Sequence, residues 1–153
     1  MKIIRLLCLC LFAMQAHAAE GVYQLRVDKP VDEVYAAVYK ALEDVRFYVV
    51  FEANIGKNLA GFAERWGEDY NRSELGAIRS MVFCNGWYAN QVSNLDPLML
   101  GFCPLHLTLI EKNGTATVLF NRPSMAAGTS PAVPVLREVE NAVITAINKA
   151  LQP

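Results

Sequence analysis

The chain has 153 residues, 54% of them hydrophobic, with 14 basic and 15 acidic side chains and a formal net charge of −1. That is the length and apolar content of one domain with one core, and its charge is too balanced for a nucleic-acid or anionic-membrane binder. With 2 histidines and 4 cysteines in all, a histidine-rich metal site is excluded.

The first eighteen residues read as an export signal. Lys2 and Arg5 supply the basic start, residues 6–14 the apolar run, and Ala16-His17-Ala18 the small-residue pattern that places cleavage after Ala18. The run falls short of the roughly 20 apolar residues a helix needs to span a bilayer, so no transmembrane anchor is expected. Leu9 before Cys10 does not suit a lipoprotein site. The expectation is a periplasmic or secreted protein with a single domain over residues 19–153. Cleavage removes Cys8, Cys10 and His17, leaving Cys84, Cys103 and the lone His106, and 12 basic against 15 acidic side chains.

Residues 22–27 alternate as a strand. Lys29-Pro30 opens a helix, with Asp32 and Glu33 in its first turn and Val31, Val34, Tyr35, Val38 and Leu42 as its apolar stripe. Residues 47–51, apolar without a break, read as a central strand. Asn54 caps a short helix carrying Ile55, Leu59, Phe62 and Trp66 on one face and ending at Gly67. Residues 68–75 read as an exposed loop and 78–83 as a strand. Asn85-Gly86 starts another short helix, with Tyr88, Val92 and Leu95 inward and Asp96-Pro97 as its stop. An apolar connector over 98–102 leads to two strands, 105–110 and 115–120, joined as a hairpin across Asn113-Gly114. Residues 122–134 read as a loop, and a last helix over 135–151 carries Leu136, Val139, Val143, Ile147 and Leu151 inward. Local strand pairs without parallel crossovers predict an α+β fold: an antiparallel sheet with helices packed on one face, in two layers.

Several strings in this order resemble the uncharacterised bacterial and archaeal family known as domain of unknown function 302. They are residues 31–50, Met81-Val82-Phe83-Cys84-Asn85-Gly86, Cys103-Pro104-Leu105, and Val118-Leu119-Phe120-Asn121-Arg122-Pro123-Ser124. Cys84 stands where the family more often has Gly, Gly86 where it has Pro, and Cys103 where it has Leu. The resemblance implies a TATA-binding-protein-like architecture and a homodimer. It carries no agreed activity.

The resemblance also places Cys84 and Cys103 in neighbouring turns, so in an oxidising compartment a structural disulfide between them is the leading expectation. Closing a loop of about 20 residues would contribute roughly 3 kcal/mol in the chain-entropy model. The alternative is a thiol-redox or metal-handling site in which Cys84, Cys103 and His106 hold copper or haem iron. Alternation sets His106 on the strand face opposite Leu105, Leu107 and Leu109, which tells against it. No catalytic set is recognisable, and no cofactor or metal is expected. The charged and aromatic segment from Glu64 to Glu74 reads as a solvated loop with Trp66 anchoring a helix end, and Arg122-Pro123-Ser124 as a turn before an anion site. Tyr35, Phe47, Tyr48, Phe51, Phe62, Trp66, Phe83, Trp87, Tyr88, Phe102 and Phe120 read mostly as core. A cleft between sheet and long helix would suit a small apolar ligand. The functional expectation is an exported, non-enzymatic binding or accessory domain, with a small ligand or an envelope protein as partner.

Overall fold

Five alternating segments become strands β1 (Val22–Val27), β2 (Tyr48–Asn54), β3 (Ala77–Cys84), β4 (Leu105–Lys112) and β5 (Thr115–Asn121) of one antiparallel sheet in the order β1-β5-β4-β3-β2. The computed structural model describes residues 21–152; the expected leader, its cleavage site after Ala18, Cys8 and Cys10 lie outside the described residues. Among the described residues no helix is long and apolar enough to cross a membrane.

The register explains the core. Met81 faces Leu107, Leu107 faces Phe120, and Leu109 faces Val118, so one sheet face presents a continuous apolar layer. Helices α1 (Val31–Asp44) and α6 (Val133–Leu151) lie against each other and against that layer through Val34, Val38, Leu42, Val139, Val143 and Ile147. Each such side chain, fully buried, contributes about 1.5–3 kcal/mol of transfer free energy. A smaller cluster joins Val92 of α4 (Gly86–Leu95) to Ala132, Val135 and Leu136. The two-layer α+β arrangement with helices on one face agrees with the sequence reading. The space between sheet and long helix that was expected to leave a ligand cleft is filled by this packing.

Local signals act where the sequence places them. Asn113 and Gly114 both have positive φ, 53° and 77°, as the two-residue hairpin turn between β4 and β5 requires. Asn85 Oδ1 accepts from the backbone N–H groups of Trp87 and Tyr88, capping α4. The start of α1 follows Pro30, which has no side chain to cap it. Glu111 on β4 does so instead, its Oε2 accepting from Val31 N–H at 2.7 Å.

Four expectations are corrected. The apolar run read as a central strand forms the sheet edge: Tyr48, Val50 and Phe51 of β2 are 55%, 64% and 62% exposed. An unbroken apolar run matches burial on both faces, but here the helices cover one face and a bulge at Val50 turns that residue outward. For the same reason the aromatic set is divided, Tyr35, Phe47, Phe83 and Phe120 being buried while Tyr48, Phe51, Phe62, Trp66 and Trp87 are exposed. The helix after Asn54 breaks at Gly61 into α2 (Ile55–Ala60) and α3 (Ala63–Trp66). The segment 122–134 contains the helical turn α5 (Pro123–Ala126), and α6 starts at Val133.

Candidate functional site

At the end of the molecule where β3 begins, the chain encloses a cleft of about 660 Å³, within the 300–1,000 Å³ range usual for small-ligand sites. Gly76, Ala77, Ile78 and Arg79 of the β3 start line it, together with Val31 and Asp32 at the start of α1. Asn54 and α2 contribute Gly56, Lys57, Leu59 and Ala60, and the segment from Trp66 to Leu75 completes the lining. Gly56 matters locally: a Cβ there would stand 3.1 Å from the Ile78 backbone nitrogen, so glycine lets α2 settle onto β3.

The segment read from sequence as a solvated loop is largely exposed, as expected, and hydrogen bonds tie it along one rim of the cleft. A 3-10 turn over Gly67–Asp69 follows α3. Asn71, itself at positive φ, then accepts from Leu75 N–H at 2.9 Å and donates from Nδ2 to the Leu75 carbonyl at 3.0 Å. Lys112 from the end of β4 donates to the Ser73 carbonyl at 2.8 Å and pairs with Glu74. Trp66 stacks on Phe62 with ring centres 5.0 Å apart, and both Trp66 and Tyr70 line the cleft or support its lining.

Arg79 is the most constrained charge in the cleft. Its guanidinium carbon lies 3.8 Å from the centre of the Tyr35 ring, and Nη1 donates to Asp32 at 2.6 Å. Tyr35 in turn donates to Glu52 Oε2 at 2.5 Å. Burial, then the Glu52 bond and charge, push the Tyr35 phenol well above its ordinary value, so it remains a donor throughout the physiological range. Arg79 Nε is a buried donor that finds no acceptor among the described residues. Such a donor costs about 1–3 kcal/mol, the kind of outlay that recurs at functional positions.

The residues singled out from the sequence fall elsewhere. Cys84 and Cys103 come together, lining a small cavity of about 10 Å³ with Phe47, Tyr88, Leu105 and Val139. They are free thiols, so the expected disulfide is not present in the structure. Burial, and next the nearby charge of Cys84, raise the Cys103 thiol above its ordinary value. His106 is exposed and lines a different cavity of about 290 Å³ with Phe102, Asn121, Arg122 and Met125. The three residues do not converge on one point, and no group of three or more His, Cys, Asp or Glu among the described residues is placed to hold a metal ion.

Arg122 and Ser124 do hold an anion, and it is the protein's own. Glu140 on α6, 1% exposed, accepts from Arg122 Nε at 2.8 Å and from Ser124 Oγ at 2.6 Å. This pins the turn after β5 to the long helix. The string Asn121-Arg122-Pro123-Ser124 is therefore structural here, as read, though the charged partner was not foreseen.

Comparisons with known proteins agree with this architecture. A family model described as "Domain of unknown function DUF302" matches residues 23–152. The crystal structure of an uncharacterized conserved DUF302 protein from Bacillus stearothermophilus superposes with a TM-score of 0.73 at 21% identity, covering 86% of this chain and 99% of that one. At that identity the likeness is one of fold. No curated protein matches the chain significantly.

Proposed function

The chain belongs to the DUF302 family, and from that premise we propose that this member is an exported, non-enzymatic binding domain whose small ligand seats in the cleft at the start of β3. One observation carries the reading: a ligand-sized cleft whose lining combines Leu59, Trp66 and Tyr70 with a few polar groups, among them Lys57, Arg72 and Arg79. The composition of residues 1–18 supports release into the periplasm or beyond, after cleavage near Ala18.

Two further features belong to the same proposal. In an oxidising compartment Cys84 and Cys103 pass two protons and two electrons to a disulfide-carrying partner protein and close one S–S bond; their sharing of one cavity supports this. The domain works as a homodimer through β2, an apolar edge strand with no further strand paired to its outer side, which can align antiparallel with its own copy about a two-fold axis.

The test of the binding reading is a small-molecule fragment screen by saturation-transfer NMR on the wild type and on Trp66→Ala. Hits that lose their signal in the variant support the cleft. A hit list unchanged by Trp66→Ala contradicts it.

A further inference from the structure

We infer that the cleft takes an amphipathic anion, meaning a small molecule with an apolar or aromatic body and one carboxylate, sulfonate or phosphate group; this rests on the cleft being the ligand site.

The charges lining the cleft do not cancel. Arg72 is paired with Asp69 and Arg79 with Asp32, which leaves the Lys57 ammonium without an acidic partner among the described residues. The side chains that line this cleft, Lys57, Arg72 and Arg79 against Asp32 and Asp69, thus carry one more positive than negative charge. The Arg79–Asp32 pair is also unequal. The Arg79 side chain is 28% exposed and held over Tyr35, while the Asp32 side chain is 82% exposed on the first turn of α1. Water therefore weakens the Asp32 side of the pair, and Asp32 is the partner that a bound anion can replace while the guanidinium stays in place. The Nε of the same guanidinium is buried without an acceptor among the described residues, so the side chain's hydrogen-bonding capacity is not exhausted by the protein.

The rest of the lining sets the other half of the ligand. Trp66, stacked on Phe62, and Leu59 present apolar surface to the same space. A wholly apolar ligand would strip water from Lys57 and Arg79 and return no acceptor, and a cationic one would meet like charge. A molecule with an acid at one end satisfies both halves of the cleft.

Two fluorescent probes with the same ring system isolate the charge: 1-anilinonaphthalene-8-sulfonate and the neutral N-phenyl-1-naphthylamine. Titrated into the wild-type protein, the sulfonate binds at least about tenfold more tightly than the neutral probe, the worth of one charged contact. Lys57→Ala, a change at an exposed position, weakens the sulfonate about tenfold and leaves the neutral probe unchanged. Trp66→Ala weakens both, and circular dichroism on each variant checks the fold. Equal affinities for the two probes, with Lys57→Ala silent and Trp66→Ala still weakening both, overturn the anion inference while the cleft reading stands. If Trp66→Ala changes neither probe, the cleft is not where they bind and both readings fall.

Discussion

Removing the guanidinium from Arg122 tests whether the buried carboxylate of Glu140 is held as the geometry indicates. Glu140 is 1% exposed and its two oxygens are shared between Arg122 and Ser124. Arg122→Met keeps most of the side-chain volume but leaves a desolvated carboxylate with the serine as its one remaining partner of the two. Breaking a fully buried ion pair from one side costs about 3–5 kcal/mol. The Arg122 side chain is 37% exposed, so water already screens the arginine and the expected loss is smaller, about 2–3 kcal/mol. The double variant Arg122→Met/Glu140→Leu removes the stranded charge, so it should recover at least about 1 kcal/mol relative to Arg122→Met alone. Urea unfolding followed by tryptophan fluorescence, at fixed pH and fixed redox state, reads both values. Arg122→Met within about 0.5 kcal/mol of wild type, or strict additivity in the double variant, would refute this account of the turn.

Other parts of the structure give equally direct expectations. Leu107→Ala, at a fully buried position in the middle of β4, should cost about 2–5 kcal/mol in the same unfolding assay, whereas His106→Ala next to it on the exposed face should stay within about 0.5 kcal/mol. Asn85→Ala removes an acceptor for two backbone N–H groups and a donor to the Arg46 carbonyl, a loss of about 1–2 kcal/mol. In the reduced protein the raised Cys103 thiol means that the native state holds its proton more tightly than the unfolded chain does. Its contribution is intact below the ordinary thiol value of 9.0 and declines as pH rises through and above it, a decline that Cys103→Ser should remove. If the proposed homodimer forms through β2, the wild type should sediment as a dimer and Phe51→Lys as a monomer; a monomeric wild type would refute the dimer, and a variant that stays dimeric would remove β2 from its interface.

The α+β class and the helix and strand positions were readable because they rest on local chemistry. Alternation in 105–110, the stripe of α1 and the Asn113-Gly114 turn each have one physical interpretation. The position of a strand within a sheet is a tertiary matter. Residues 47–51 carry the pattern of a two-sided core strand, yet β2 lies at the edge, and only the pairing order reveals it. The candidate site was harder still. The density of charge and aromatics from Glu64 to Glu74 was visible, but its meaning depends on non-local ties, Lys112 reaching Ser73 and α2 resting on Ile78. Arg79 gave no sign in sequence beyond being a charge inside a strand pattern. That interruption was the one signal available, since a charged residue on an inner strand face needs partners such as Tyr35 and Asp32. The cysteines show the reverse: their neighbourhood was correctly anticipated, while the bond between them is absent from the structure.

The binding cleft is tested most directly by mapping backbone amide chemical shifts while 1-anilinonaphthalene-8-sulfonate is added to the isotope-labelled protein. The account predicts the largest changes at Lys57, Tyr70, Ala77, Ile78 and Arg79, the residues around the β3 start. Changes gathered instead at Phe102, His106, Asn121 and Met125 would place the ligand in the other cavity and contradict it.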